Sequence, residues 1–375
     1  MLDNMQIDNY AGYYQVGEQI FFNKLSAILH SKKTHHFPKF VFHDNVFESL
    51  DWTTEPNETL DELYRQRAQG LRDKYDYLVL HYSGGLDSAN ILETFIKNNI
   101  YLDEILIRGP YKTTDKNEKD RRPENHYSEI YFQGIPTAEV VKNQFLKNVK
   151  ITVVDTTEFT IKWFDQNPDW HEGAFGMTAP NRFAHNYNRL HPEYARLTES
   201  GKTVAHILGI DKPMLHYQDD LFYVRFLDKL TTMFVVGGEL DPDGLPLHRE
   251  FFYWSAETAR LICKQAHTLK KFFKASNINF NKLATAHGRE YHDTIGAVLY
   301  NRTIIPFLHQ PAKKSLFDTL EFDRSYFFKD PHSSHVANWK TGIEKLNQIT
   351  PDDWMHGNIT KNLVGMWSRS YCIGE

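Results

Sequence analysis

Residues 76–99 read DYLVLHYSGGLDSANILETFIKNN, and this stretch decides the fold. A run of β-forming residues from Tyr77 to Tyr82 stops at the pair Gly84–Gly85, and an apolar-periodic segment opens behind Ser88. Because glycine lacks a Cβ atom, this backbone can adopt left-handed angles and approach an anion closely. The amides and dipole at the start of the next helix also favour negative charge. The stretch predicts a strand, a phosphate-holding loop and a helix; the alternative is a plain glycine turn.

The side chains of this loop add hydroxyl donors and a carboxylate. Ser83 and Ser88 carry the hydroxyls, and Asp87 carries an acid group suited to Mg²⁺. The string Ser83-Gly84-Gly85-Leu86-Asp87-Ser88 resembles, at every position, the SGGxDS signature of the PP-loop ATP pyrophosphatases. That superfamily includes the synthetase domain of asparagine synthetase, GMP synthetase, argininosuccinate synthetase and several tRNA-modifying enzymes. The string is not a Walker A motif, since the terminal Gly-Lys-Ser/Thr is missing.

The resemblance implies a chemistry and a set of nucleotide contacts. Enzymes of this superfamily cleave ATP between the α- and β-phosphates, activate an acceptor oxygen as an adenylate, and let a nucleophile displace AMP. Asp87 would hold or orient Mg²⁺, which neutralises charge on the departing pyrophosphate. Arg108 either lies against adenine or is an exposed charge. The ATP-binding residues implied are Ser83, Gly84, Gly85, Leu86, Asp87, Ser88, Ile107, Arg108 and Gly109.

A second candidate segment is Gly209-Ile210-Asp211-Lys212-Pro213, which follows a predicted strand. Lys212 would stabilise charge that develops on the α-phosphate, and Asp211 would assist Mg²⁺ binding. The alternative is a turn that leads into the C-terminal region. Asparagine synthetase has a more glycine-rich segment of the SGEGAD kind around this point. Its absence here puts the asparagine-synthetase activity itself in doubt.

Four short apolar strands alternate with helical segments and predict an α/β fold with a doubly wound parallel sheet. The predicted strands are Tyr77–Tyr82, Glu104–Ile107, Lys150–Val154 and Thr203–Leu208. Ligands in such sheets bind at the carboxyl ends of the strands, where all the candidate polar residues lie. The resemblance implies that the sheet is of the adenine nucleotide alpha hydrolase type.

Three regions are predicted along the chain. Residues 1–58 contain a hairpin and a helix, residues 59–213 form the ATP pyrophosphatase domain, and residues 214–375 form a mixed α+β region for acceptor recognition. In that last region, His248–Trp254 is either core or a wall against a planar acceptor. A lysine-rich helix face there is either solvated or an RNA contact.

Composition limits the classes of protein that fit. The net charge of −5 argues against a broad nucleic-acid surface, and 41% hydrophobic residues indicate a sizeable core. Two cysteines and no CxxC indicate a reducing compartment without a disulfide framework. No signal peptide or membrane-length apolar run is present, so we expect a cytoplasmic protein without a membrane partner. The chain also resembles PP-loop proteins of large tailed bacteriophages, which would place it in host cytoplasm.

The function hypothesis is an ATP- and Mg²⁺-dependent ligase that forms AMP and pyrophosphate and makes a C–N bond. Its acceptor would be a small molecule or a biopolymer. Position two is Leu2, where a glutaminase domain would need a nucleophilic cysteine, so ammonia from solution or another amine is expected. The alternative is a tRNA- or nucleobase-modifying enzyme. Thiolation fits poorly, because Cys263 and Cys372 are far apart in sequence. A non-catalytic ATP-binding protein is the third hypothesis.

Overall fold

The computed structural model describes residues 11–109, 129–173, 192–210, 212–228, 247–276, 289–305, 326–349 and 366–375. Asp211 and the charged stretch 112–123, which the sequence suggests as a surface loop, lie outside these residues. Within the described part of the chain, no helix combines the length and apolarity that crossing a membrane requires.

The secondary-structure elements are numbered in chain order. The strands of the described residues are β1 (Tyr13–Val16), β2 (Gln19–Phe21), β3 (Lys39–Val41), β4 (Tyr77–His81), β5 (Glu104–Gly109), β6 (Lys150–Asp155), β7 (Val204–Leu208), β8 (Met214–Gln218), β9 (Leu221–Arg225), β10 (Leu247–Phe251) and β11 (Tyr371–Gly374). The helices are α1 (Lys24–Thr34), α2 (Asp44–Phe47), α3 (Leu60–Lys74), α4 (Leu86–Lys97), α5 (Ile135–Gln144), α6 (Thr157–Gln166), α7 (Pro192–Glu199), α8 (Ala259–Ala275), α9 (Arg289–Leu299) and α10 (Ser334–Ile349). A π-helical turn, Ile130–Gly134, leads into α5.

The central sheet has five parallel strands in the order β10-β7-β4-β5-β6. Its strands alternate with helices, and helices cover both faces, so the predicted doubly wound parallel sheet is confirmed. Leu80 and Ile105 face a core that includes residues of α4 and α5. Val79 and Leu106 face a smaller cluster that contains Tyr194 of α7. Burial on both faces explains why these strands read as nearly continuous apolar runs.

The four predicted strands are β4, β5, β6 and β7, and the fifth strand, β10, comes from beyond residue 213. A cluster of charged side chains links β10 to helix α3 and to Tyr75, which follows it. Glu250 accepts hydrogen bonds from Arg67 at 2.8 Å and Lys74 at 3.0 Å, and also from the Tyr75 hydroxyl. Burial alone would raise the pKa of Glu250, but these partners outweigh it and hold the pKa below its ordinary value. The sheet therefore continues past the expected boundary at residue 213.

Local sequence signals explain several element boundaries. The sequence Thr59-Leu60-Asp61-Glu62 predicts a capping box, and Thr59 and Glu62 make both of its reciprocal hydrogen bonds at the start of α3. The hairpin predicted in residues 1–58 is β1–β2. Two β-forming runs on either side of Asp219-Asp220 predict a second hairpin, which is β8–β9, and both hairpins are antiparallel. β3 adds to the first hairpin and β11 to the second.

All three predicted regions contribute to one buried core. In the first region the Tyr14 hydroxyl and the Lys24 ammonium both bind buried Asp228, at 2.8 and 2.6 Å. The Phe42 and Phe226 rings lie 5.1 Å apart. That core also includes the central sheet, and the division into domains at residues 58 and 213 stays a prediction.

Candidate functional site

The strand order reverses at β4, and this places two loops side by side. From β4 the chain moves outward to β5 and β6, then returns to pair β7 on the other side of β4. Open parallel sheets bind ligands at such a reversal, beyond the carboxyl ends of the strands. The segment after β4 carries Ser83 to Ser88, and the segment after β7 carries Gly209, Ile210 and Lys212. The two predicted segments therefore lie at the same edge of the sheet.

Glycines let two other backbone segments approach the loop closely. Gly84 has φ +86°, and a Cβ atom there would lie 2.9 Å from the backbone nitrogen of Gly134. A Cβ atom on Gly209 would lie 3.1 Å from the backbone nitrogen of Ser88. Gly84 requires glycine, because its backbone is left-handed and a side chain would meet the Gly134 backbone, whereas a side chain at Gly209 would crowd the start of α4.

The two serines brace the loop internally. The Ser88 hydroxyl accepts a hydrogen bond from the Ser83 amide at 3.3 Å and donates to the Gly85 carbonyl at 3.2 Å. Gly85 is the N-cap of α4, and no side chain caps that end of the helix. Amides of the first turn therefore keep their hydrogen-bonding capacity for an anion.

The carboxylate of Asp87 and the ammonium of Lys212 form an ion pair across the two segments. The Lys212 Nζ lies 2.6 Å from Oδ1 of Asp87 and 2.8 Å from Oδ2. Lys212 is 4% exposed, whereas the Asp87 side chain is 27% exposed. The cation is thus held inside the protein while the carboxylate reaches the mouth of the site. Asp211, the other predicted metal ligand, is outside the described residues.

Two tyrosines from distant segments also reach Asp87, and sequence reasoning missed both of these contacts. Tyr300 donates its hydroxyl hydrogen bond to Oδ1 of Asp87. The Tyr253 hydroxyl donates a hydrogen bond to the Asp87 backbone carbonyl at 2.9 Å and accepts one from the side-chain amide of Asn90 at 3.0 Å. The two tyrosine rings stack with centroids 5.6 Å apart. No local pattern predicts these contacts, since both tyrosines follow the loop by more than a hundred residues.

Helix α4 also binds the segment that follows Tyr300. Glu93 accepts hydrogen bonds from the amides of Thr303–Ile305, and Lys97 donates to the Asn301 carbonyl. Burial raises the pKa of Glu93, but the three amides and Lys97 outweigh it, so the pKa lies below its ordinary value. A carboxylate that stays ionised here keeps the segment attached to the helix that carries the loop.

A further carboxylate lies over the glycine pair. Glu129 is 8% exposed, and its oxygens lie 3.5 and 3.8 Å from the position that a Cβ atom on Gly85 would take. It directly precedes the π-helical turn that packs against Gly84. An acid beside the predicted phosphate-binding loop suits a site that takes up a cation together with its anion. The sequence offers no signal for Glu129, which adjoins a charged stretch of the chain.

The predicted adenine-binding residues lie at the end of β5. Ile107 is fully buried, so it offers a nucleotide its backbone only. Arg108 is partly buried, and a Cβ atom on Gly109 would lie 2.3 Å from Cδ1 of Ile130, so the Ile130 side chain would have to move. Gly109 pairs in register with Asp155 of β6. These residues therefore form the neighbouring part of the same sheet edge.

The remaining candidates have internal partners. The run from Phe251 to Trp254 is buried, which confirms the core interpretation for that part of the segment His248–Trp254. On the lysine-rich helix α8, Lys264 and Lys271 both pair with Glu55. Cys263 is buried on the same helix, and burial raises the pKa of its thiol to about 12. Such a thiol is protonated at neutral pH, as expected of a structural cysteine.

One group of three candidate metal ligands occurs among the described residues, in the 3-10 turn Trp170–Gly173. Asp169, His171 and Glu172 each offer a ligand atom within 4.8 Å of the others. The two carboxylates are exposed, and Asp169 pairs with Lys345 at 3.3 Å. Exposed acidic groups often cluster without a metal, and we assign this group no function.

Comparisons with known proteins give weak likenesses only. No protein-family model matches the chain, and no curated protein matches it by sequence. Among solved structures, NMN synthetase from Francisella tularensis is 11% identical, with a TM-score of 0.32 over 79% of this chain and 100% of that one. The NH₃-dependent NAD synthetase from Campylobacter jejuni subsp. jejuni NCTC 11168, solved with a nitrate ion, is 13% identical, with a TM-score of 0.28 over 79% of this chain and 99% of that one. Both likenesses are too weak to carry a functional conclusion.

Proposed function

We propose that this chain is an ATP pyrophosphatase of the PP-loop type that activates an acceptor as an adenylate and joins it to an amine or ammonia. The single observation that carries the proposal is the ion pair between the buried Lys212 ammonium and the partly exposed Asp87 carboxylate. It joins the loop after β4 to the segment after β7 at the reversal of the sheet. A structural glycine turn alone would not explain why the buried Lys212 ammonium lies against Asp87.

In this proposal the loop binds the β- and γ-phosphates of ATP. The Ser83 hydroxyl, the backbone at Gly84 and Gly85 and the first amides of α4 would donate hydrogen bonds to phosphate oxygens. Lys212 would exchange its partner, from the Asp87 carboxylate to a phosphate, as the nucleotide enters. A lysine ammonium is a compact charge with three donors, which suits such an exchange.

The donor set also fits Mg²⁺, which prefers carboxylate and phosphate oxygens. Asp87 lies at the mouth of the site, and Glu129 supplies a second carboxylate beside the loop. When bound, Mg²⁺ would neutralise charge on the departing pyrophosphate. Asp87 would hold or orient the ion, and Lys212 would stabilise the charge that develops on the α-phosphate.

The choice of a C–N ligase over an RNA-modifying enzyme rests on two groups outside the loop. The protonated, buried Cys263 is unsuited to sulfur transfer. Lys264 and Lys271 form ion pairs with the Glu55 carboxylate, which weakens the interpretation of α8 as an RNA-binding face. Bulk tRNA stays in the test below as the competing acceptor.

The test is ATP–pyrophosphate exchange with Mg²⁺, run against separate pools of amino acids, nucleotides and bulk tRNA. We expect one pool to stimulate exchange and Asp87→Asn to lower it roughly 100-fold. Asp73→Asn is the matched control, since it removes an exposed carboxylate of α3 that accepts a hydrogen bond from Gln69. Stimulation by tRNA alone would favour RNA modification. The absence of both exchange and ATP binding would refute the proposal.

A further inference from the structure

Tyr300 brings the C-terminal part of the chain to the carboxylate of Asp87. It follows α9 directly and is 5% exposed, and its hydroxyl donates a hydrogen bond to Oδ1 of Asp87. Oδ1 thus has two partners, Tyr300 and Lys212, whereas Oδ2 has Lys212 at 2.8 Å. The two oxygens of one carboxylate are therefore distinguished by the phenol.

The Tyr300 ring is held from several sides. It stacks on Tyr253, and the Tyr64 ring lies 6.4 Å from it, centroid to centroid. The Lys212 ammonium lies 5.7 Å from the Tyr300 ring centroid, within reach of a cation–π attraction.

The backbone after Tyr300 is anchored separately from the ring. Glu93 binds the amides of Thr303–Ile305, and Lys97 binds the Asn301 carbonyl. Asp87, Glu93 and Lys97 all lie on α4, so one rigid helix carries both the carboxylate and the attachment of the tyrosine that contacts it. The hydroxyl therefore reaches a defined oxygen.

We propose that Tyr300 is a positioning residue that holds Oδ1 of Asp87 and so presents Oδ2 to the metal ion. This inference rests on the proposed function. When Lys212 exchanges to a phosphate, Oδ1 retains the phenol and Oδ2 loses its only protein partner among these contacts. Without the phenol, the carboxylate could rotate after the exchange, and metal binding would have to order it again.

The experiment measures metal and nucleotide binding separately. Calorimetry with a non-hydrolysable α,β-methylene analogue of ATP gives nucleotide affinity in chelator, and titration of Mn²⁺ into the preformed complex gives metal affinity. We expect Tyr300→Phe to weaken Mn²⁺ binding on the order of tenfold, as for one lost hydrogen bond to a charged group. Nucleotide affinity in chelator should change less than twofold.

Tyr64→Phe is the matched control, because it removes a hydroxyl that donates to the Leu299 carbonyl in the same cluster. It should leave Mn²⁺ affinity unchanged. An unchanged Mn²⁺ affinity in Tyr300→Phe, or an equal loss in both variants, would overturn the inference and leave the proposed function standing. If the wild type binds neither analogue nor metal, both fail together. Should Tyr300→Phe not fold, Glu93→Gln loosens the same segment and carries the same expectation with a smaller loss.

Discussion

Replacing Asp87 by Asn should destabilise the ligand-free protein, because it removes the negative charge that lies against the buried Lys212 ammonium. The two groups are in contact, with Nζ 2.6 and 2.8 Å from the carboxylate oxygens. Asn keeps the shape of Asp and can still accept a hydrogen bond from Tyr300. The change therefore removes the charge with little loss of packing.

The size of the effect follows from the burial of each partner. Breaking a fully buried ion pair costs about 3–5 kcal/mol, whereas an exposed pair contributes about 0.2–1 kcal/mol. Lys212 is almost fully buried, but about a quarter of the Asp87 side chain is exposed, at 27%. We therefore expect Asp87→Asn to lower the free energy of unfolding by about 2–3 kcal/mol. Urea unfolding without nucleotide measures this value.

A double-mutant cycle separates the ion pair from other effects of the substitution. Lys212→Met removes the charge and keeps most of the apolar stem, so the double variant should be less destabilised than the sum of the two single variants. The coupling energy should be about 1–3 kcal/mol. The reasoning would be refuted if the free energy of unfolding of Asp87→Asn lay within about 0.5 kcal/mol of the wild-type value, or if the effects of the two single substitutions were fully additive in the double variant.

Three further predictions test the loop, its attached segment and the buried thiol. Gly84→Ala should lower the free energy of unfolding by about 1–2 kcal/mol and abolish ATP binding, because the φ angle of Gly84 is +86°. The control is Gly70→Ala in helix α3, where a Cβ atom would meet no other atom within 4 Å, and it should be neutral or stabilising. The pKa of Glu93 is lowered from its ordinary value of 4.5, so the ionised side chain stabilises the folded protein above pH 4.5. This stabilisation is lost as the pH falls through the lower pKa of the folded state. The difference in urea midpoint between wild type and Glu93→Gln should therefore shrink from pH 7 to pH 3. The Cys263 thiol, with its pKa raised to about 12, should resist alkylation at pH 8 in the native protein and react in urea; labelling at equal rates in both states would contradict its burial.

The part of the fold that local sequence signals encode was predicted well. The strand, loop and helix of residues 76–99 are β4, the segment 82–85 and α4. An apolar run, a glycine pair and helical periodicity are all short-range signals, so one window of sequence contains them. The same holds for the capping box of α3 and for the hairpin β8–β9. Asp87 and Lys212 were both expected at strand ends, and they are in contact.

The contacts that complete the candidate site depend on long-range packing. Tyr253 and Tyr300 lie 166 and 213 residues from Asp87 along the chain, and no periodicity links them to it. β10 was missed as a strand of the central sheet, because its charged residues obscure the apolar pattern of a buried strand. Glu250 is stable there because Arg67 and Lys74 of α3 pair with it. Such compensation exists only in the folded chain.

The helix α4 explains why the C-terminal part of the chain and the loop form one site. Asp87, Asn90, Glu93 and Lys97 recur every three or four residues, so they form one face of the helix. Each binds a different part of the distant segments: a tyrosine hydroxyl, a second tyrosine, backbone amides and a carbonyl. The first residue of this face belongs to the loop itself. The N-terminus of α4 would thus meet the nucleotide while its polar face holds the residues that orient Asp87. In the proposed function, the buried Lys212 would keep that carboxylate paired until a phosphate replaced the carboxylate as its partner.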